Sequence, residues 1–560
     1  MSALGTTGAA APVARDADRL VVAVAFVTVT LLLGAFVLVP LGAILAQSLH
    51  TPEGLGFGNY TRYFGSPKFG RILGNTLTVA ATTTAITVVL AYGFAFAMRR
   101  TCMRGKAVFG AVMLLPLLAP SLVQALGLLF LFGRNGIVNR TLDLGLDPYG
   151  FWGIVIADVF YSLPHAYLIL SAALAAADAR LYEAARTLGA SRARMFRTIT
   201  LPSTRYGLLS ASFVVFTIVI TDFGNPMVIG GDYGVLATEI YNQVSGQANL
   251  AMGAVIGVVL LAPAAVAVIA ERWIVGASQA TITAQARPLD LHPEPLRDRL
   301  ALAYCSAVGG ALVLVIAVVV VASFVTLWPY NMHMSLRHYR FEVQQGIAPL
   351  WTSIGMSLAA AAIGVVVTVA AACTARRVPP TLARGLYFLS ILPAAIPGMV
   401  LGLGYVLIFN APGNPLEVLY GTVTILALCT VYHYHAQGYL VAATGLGQVS
   451  KVFDEAATSL GAGVLRTLRT VTLPMVAPAI ASIGVFFFMR SMVTLSALVF
   501  IVTPATQVAA VSVLLLDDSG NQNQAAAYSV CIMAVVLAAL ATYHLLLRVA
   551  RRVQRRAAVA

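Results

Sequence analysis

The sequence has 560 residues, of which 59 % are hydrophobic and only 10 % charged, and its mean hydropathy is +0.87. A soluble domain carries about 25 % charged residues, so a water-soluble enzyme is excluded and most of the chain must dissolve in lipid. The net charge of +14 would suit nucleic acid, but the basic residues fall where a membrane topology needs them, and nucleic acid is not an expected partner.

Taken in chain order, residues 1–19 read as a tail. A helix crossing the hydrocarbon needs roughly 20 apolar residues. The run 20–46 meets that and far exceeds the ~7–15-residue core of a cleaved signal peptide, so it is expected to stay as the first span. Further spans are predicted at 72–98, 108–132, 150–176, 206–229 and 250–271, completing a first half over 20–271. Residues 272–300 contain Pro288, Pro293, Pro295 and charges of both signs, the composition of a linker. The second half, 301–548, holds spans at 301–327, 351–375, 384–409, 419–445, 477–503 and 526–548, and 549–560 is a basic tail. With the N-terminus inside, 27 of the 35 Lys and Arg residues fall in inner segments. Basic residues are retained on the cytoplasmic side, so both termini and the linker are expected there. The five cysteines form no C-x-x-C pair, which argues against a metal or disulfide framework.

The halves repeat. Leu-Pro-Leu-Leu-Ala-Pro at 115–120 recurs as Leu-Pro-Ala-Ala-Ile-Pro at 392–397, an offset of 277. With six spans each, the repeats insert in the same orientation, related by an axis along the membrane normal that encloses a path. Between the fourth and fifth spans of the first half stand Glu183, Ala184, Ala185, Gly189, Ile199, Leu201 and Pro202. The second half repeats them 272 residues on as Glu455, Ala456, Ala457, Gly461, Val471, Leu473 and Pro474. Ala-rich sequence forms slim helix, glycine lets the chain turn, and proline suits the first turn of the next helix. An ordinary loop helix ending at a glycine would not recur at identical internal spacing.

This duplicated pattern resembles the cytoplasmic E-A-A…G…I-x-L-P loop of ABC importer permeases, departing only at Val471. The resemblance implies an all-α membrane protein of about twelve transmembrane helices, built as two tandem six-helix type I importer (MetI-like) halves. It also implies that each loop docks into an ATPase subunit and passes on nucleotide-driven motion. No G-x-x-x-x-G-K-[ST] sequence occurs, so the expected partners are two separate ABC ATPase subunits, which use ATP and Mg, and a periplasmic solute-binding protein. No cofactor, metal or catalytic residue is expected in this chain.

The fused layout is similar to the ferric-iron type of importer permease and, more closely, to the 2-aminoethylphosphonate type. The stretches that carry this are 221–226, 336–341, 431–438 and 486–494. Ionisable residues inside spans are costly in lipid and functional by default, so Arg490, Asp222, Asp158, His165, His433 and His435 are the candidate translocation path. The 272 offset pairs Arg490 with Ile218 and Asp222 with Thr494, and Asp222 is a candidate partner for Arg490 when the path is empty. The histidines are expected to be buried and hydrogen-bonded. Ligation of iron by His433 and His435 is disfavoured, since i, i+2 spacing turns them to different helix faces. A gradient-driven secondary transporter is the main rival, yet the loop 99–106 lacks an acidic residue and the matching motif.

Overall fold

The computed structural model describes residues 11–143, 145–176, 178–279, 291–341 and 346–557. The middle of the predicted linker, including Pro288, and the first ten residues of the tail lie outside them. Nine of the described helices are long and apolar enough to cross a bilayer, and eleven if two bent pairs are each one span. The remaining predicted span, 419–445, is made by helices Val423–His433 and His435–Gly447, which meet at a break at Tyr434.

The breaks have local causes. In the third span Pro116 and Pro120 interrupt the hydrogen-bond ladder, leaving a short 3-10 turn Leu115–Leu118 before helix Leu122–Phe132. The same device at Pro393 and Pro397 bends Pro380–Ala395 against Gly398–Phe409 by 105°. Proline cannot donate to the carbonyl four residues back and clashes with it. Broken backbone is tolerated at membrane depth only where protein covers it, and Pro116, Leu118, Pro393 and Ala395 are all buried.

Two predicted spans overshoot. The fifth stops at Ile220 and not at 229, because the chain turns at Asp222 before a separate helix, Gly224–Ile229. The eleventh stops at Val493 and not at 503. Small antiparallel hairpins, absent from the sequence reading, follow the first span of each half, pairing His50–Thr51 with Gly54–Leu55 and Val325–Leu327 with Asn331–Met334.

The first spans are exchanged between halves. Asp16–Leu49 packs on the second half, where Phe36 stacks 5.0 Å from Tyr432 and its carbonyl accepts from the Tyr405 hydroxyl at 3.0 Å. Pro295–Phe324 packs on the first half, and Tyr304 donates to the Leu90 carbonyl at 2.9 Å. Two glycines 277 apart admit these crossings. A Cβ on Gly404 would meet the Pro40 carbonyl, and one on Gly127 the Val315 carbonyl, both closer than the 3.0 Å below which real Cβ contacts are essentially unknown.

Candidate coupling loops and central cavity

The duplicated loops fold alike. Helix Ala179–Thr187 carries Glu183, Ala184 and Ala185, and Lys451–Ser459 carries Glu455, Ala456 and Ala457. Gly189 and Gly461 follow at φ of +70° and +73°. In that left-handed conformation the chain reverses, and the N–H one residue later bonds back to the helix. Ala190 donates to Ala185 and Ala462 to Ala457, each at 2.9 Å. Such a turn satisfies helix-end carbonyls and favours glycine for want of a Cβ.

The next helix then starts earlier than predicted, at Arg192 and at Val464. Ile199 and Val471 lie in wide π turns, Phe196–Thr200 and Leu468–Thr472. Leu201 and Pro202 open the regular helix Leu201–Ile220. In the second half Leu473 and Pro474 are followed by a 75° bend before Ala477–Val493. Pro478 explains the difference: it cannot donate to the carbonyl of Pro474, whereas the first half has Tyr206 at that place.

Each loop exposes apolar side chains that the motif reading did not single out. Leu188 is 84 % exposed and Leu460 is 86 % exposed. Leu181 and Phe453, also 272 apart, are about half exposed. The signal available in the sequence was a large apolar residue immediately before each glycine.

Each loop is also held from beneath, by different chemistry. Arg100 donates to the Leu174 carbonyl at 3.0 Å and stacks 5.0 Å from the Tyr182 ring, whose hydroxyl bonds Thr200 at 2.9 Å. In the second half Asp454 stands where Tyr182 does. It ion-pairs with Arg376 and Arg377, each at 3.3 Å, while Arg376 also donates to the Leu446 carbonyl.

Between the halves lies a cavity of about 430 Å³, walled by the third to sixth spans of one half and the ninth to eleventh of the other. Arg490, Tyr434, Gln437 and His165 face it, and Glu271 and Arg272 stand at its loop-side end. The Arg490 guanidinium lies 4.7 Å over the Tyr434 ring, a cation–π arrangement, with the Tyr161 hydroxyl in reach. Tyr434 is fixed in turn by Thr494, which donates to its hydroxyl at 3.1 Å.

The structure separates the other candidates from this cavity. Asp158 accepts from the Asn225 side chain at 2.8 Å and Asp222 from the Asn225 backbone at 3.0 Å. Asn225 itself accepts from the Ala125 N–H at 3.2 Å. The carboxylates therefore tie the turn after the fifth span to the third and fourth spans. Among the described residues no ion pair joins Asp222, or any other carboxylate, to Arg490, so the expected pairing is not made. His435 corrects the expectation of hydrogen-bonded histidines: it is fully buried, neither ring nitrogen has a hydrogen-bond partner among the described residues, and it stacks between Tyr432 and Tyr439. His433 packs against Tyr434 at 4.4 Å, across the helix break.

A sequence profile of the family described as "Binding-protein-dependent transport system inner membrane component" matches residues 92–277 and again 364–557. The chain belongs to this family. It is a multi-pass inner-membrane permease of an ABC importer with both halves fused, and its two matches begin 272 residues apart, the offset of the loops. It is 30 % identical over 556 residues to the ferric transport system permease protein FbpB of Actinobacillus pleuropneumoniae, covering 96 % of this chain and 80 % of that one. The molybdenum transport system permease protein ModB of Azotobacter vinelandii is 35 % identical over 176 residues, which cover 30 % of this chain and 78 % of ModB. The spermidine/putrescine transport system permease protein PotB of Haemophilus influenzae is 31 % identical over 194 residues, or 32 % of this chain and 68 % of PotB. These relatives are thus named for three different solutes, the last two aligning with about a third of this chain each.

Proposed function

We propose that this permease receives a solute from a periplasmic binding protein and passes it between its halves, driven by two ATPase subunits seated on the two loops. The observation that carries the reading is the pair of loops, alike from the short helix through the π turn and each presenting a bare leucine beside a left-handed glycine. ATP and Mg are used by the partner subunits. Both loops and both termini are assigned to the cytoplasm from the distribution of Lys and Arg. Cysteines placed at Gly231 and Gly520 should then be labelled by impermeant reagents on intact cells, and one at Ser191 should not. Labelling at Ser191 reverses the assignment.

For the cargo, ferric iron is the first reading, because a relative that aligns along nearly the whole chain is named for it. A specific observation favours a second, 2-aminoethylphosphonate. Arg490 faces the cavity with no carboxylate partner among the described residues, and a guanidinium fork matches phosphonate oxygens bidentately. Proteoliposomes holding the permease, its ATPases and its binding protein separate the two. Uptake of labelled ferric iron that labelled 2-aminoethylphosphonate does not dilute establishes the first, and the reverse establishes the second.

A further inference from the structure

The two acidic residues that open the exchanged first spans touch the loops of the opposite half. Asp18 lies near the start of Asp16–Leu49, and its Oδ1 accepts the backbone N–H of Val464 at 2.8 Å. Val464 is the first residue of the helix that follows the Gly461 turn. A carboxylate there satisfies one of the free donors of a helix start and meets the positive end of its dipole. The fit is close: a Cβ on Gly463 would stand 3.0 Å from the same Asp18 oxygen. The residue 272 positions before Val464 is Arg192, which likewise opens the helix after its glycine turn. Arg192 is ion-paired with Glu294, the residue just before the helix of the other exchanged span, Pro295–Phe324. Four residues on, Asp298 accepts the Cys102 N–H at 3.0 Å and holds the Glu294 N–H at 3.1 Å, so this end of the span is fixed as well.

We propose that Asp18 and Glu294 are positioning residues that tie each loop to the first span of the other half, so that one ATPase stroke moves both halves together. The proposal rests on the reading that these loops receive the ATPases. The geometry gives it a lever. The first span is a helix of 34 residues, so a push on the second loop is carried roughly 50 Å to the hairpin on the far face, which belongs by chain connection to the first half. Neither contact lies in the cavity, and neither touches the solute path. The chemistry differs, a hydrogen bond to backbone on one side and an ion pair on the other, yet both fall on the same residue of the repeat.

The test is the amount of solute moved per ATP hydrolysed, in proteoliposomes with the ATPases and binding protein, offering labelled ferric iron and labelled 2-aminoethylphosphonate together. Asp18→Ala removes the acceptor, and the ratio is expected to fall roughly fivefold, the factor to which the ~1 kcal/mol stability cost of a lost helix-start acceptor converts, with ATPases still co-purifying and hydrolysing. Asp18→Asn keeps an oxygen in place and should restore most of the ratio. Glu294→Gln should lower the ratio in the same way from the other side. An unchanged ratio in Asp18→Ala and Glu294→Gln overturns the proposal. So does a loss of assembly in Asp18→Ala that Asp18→Asn does not rescue, since Asp18 then only holds the fold. Gly461→Asp is measured alongside: if it transports normally the loop reading itself fails, and if it fails while Asp18→Ala stays coupled, only the tie between halves is wrong.

Discussion

On the loop side the halves match element for element: helices Ala179–Thr187 and Lys451–Ser459, left-handed Gly189 and Gly461, π turns Phe196–Thr200 and Leu468–Thr472. At the centre they do not. Arg490 stands opposite Ile218, Asp222 opposite Thr494, Asp158 opposite Thr430 and Asn225 opposite Ala497. The contrast follows from what each region meets. On the function proposed above, the two loops face equivalent ATPase subunits and have reason to stay equivalent, whereas one solute passing between the halves would present a different side to each.

The largest test of that contrast is at the glycines. Gly189→Asp and Gly461→Asp each force a side chain into a left-handed conformation, at roughly 1–2 kcal/mol, and set a charge beside the exposed leucine. Uptake should fall to background in both, with the permease still inserted and its ATPases bound more weakly. Normal uptake in one but not the other would show that the matched loops are not matched in use.

At the centre the expectation is asymmetric. Arg490→Met should abolish uptake while assembly and ATP hydrolysis persist, because the guanidinium has Tyr434 and Tyr161 rather than a carboxylate to satisfy it. Arg490→Lys should recover little, since a point charge lacks the fork. Ile218→Met, at the equivalent place, should leave uptake near normal. If Arg490→Met fails to assemble, Arg490 is a structural residue and the centre carries no cargo chemistry there.

The exchanged first spans give a smaller and symmetric effect. Gly127→Ala and Gly404→Ala each drive a methyl against a backbone carbonyl of the other half's first span. Overpacking of this kind costs typically 1–3 kcal/mol, and both variants should melt at lower temperature than the parent in detergent. Equal stability in either would mean the crossing is looser than its contacts indicate.

The spans and the loops were readable because apolar runs and a twice-repeated motif are properties of short windows. The exchange of first spans was not, since hydropathy says that Leu20–Ala46 crosses lipid but not which half it packs on. The overshoot of the fifth and eleventh spans has one cause. Residues after Ile220 and Val493, such as Phe223, Val228, Leu495 and Leu498, are buried in protein, and apolar residues covered by protein look the same in sequence as those covered by lipid. The pairing of Asp222 with Arg490 failed for a related reason: an offset between repeats places two residues on equivalent helices, yet Asn225, three residues from Asp222, was the nearer partner. The break at Tyr434 carries neither proline nor glycine, and no local rule marks it.

The finest distinction between the halves lies beneath the loops and is electrostatic. Tyr182 holds the first loop through a hydroxyl–hydroxyl bond to Thr200 and a ring under Arg100. Asp454 holds the second through ion pairs to Arg376 and Arg377 with its own side chain about one-third exposed. Partly exposed ion pairs are worth ~1 kcal/mol or less and weaken as the screening length falls to about 3 Å near 1 M salt. A hydroxyl bond, worth about 1 kcal/mol, does not depend on ionic strength in this way. Raising salt should therefore speed amide exchange in Lys451–Ser459 by a few-fold while leaving Ala179–Thr187 nearly unchanged. Tyr182→Phe should do the opposite, loosening the first loop at every salt concentration and sparing the second. If both loops respond equally to salt, the ion pairs of Asp454 contribute nothing to holding its loop, and the two anchors are equivalent in energy despite their different chemistry.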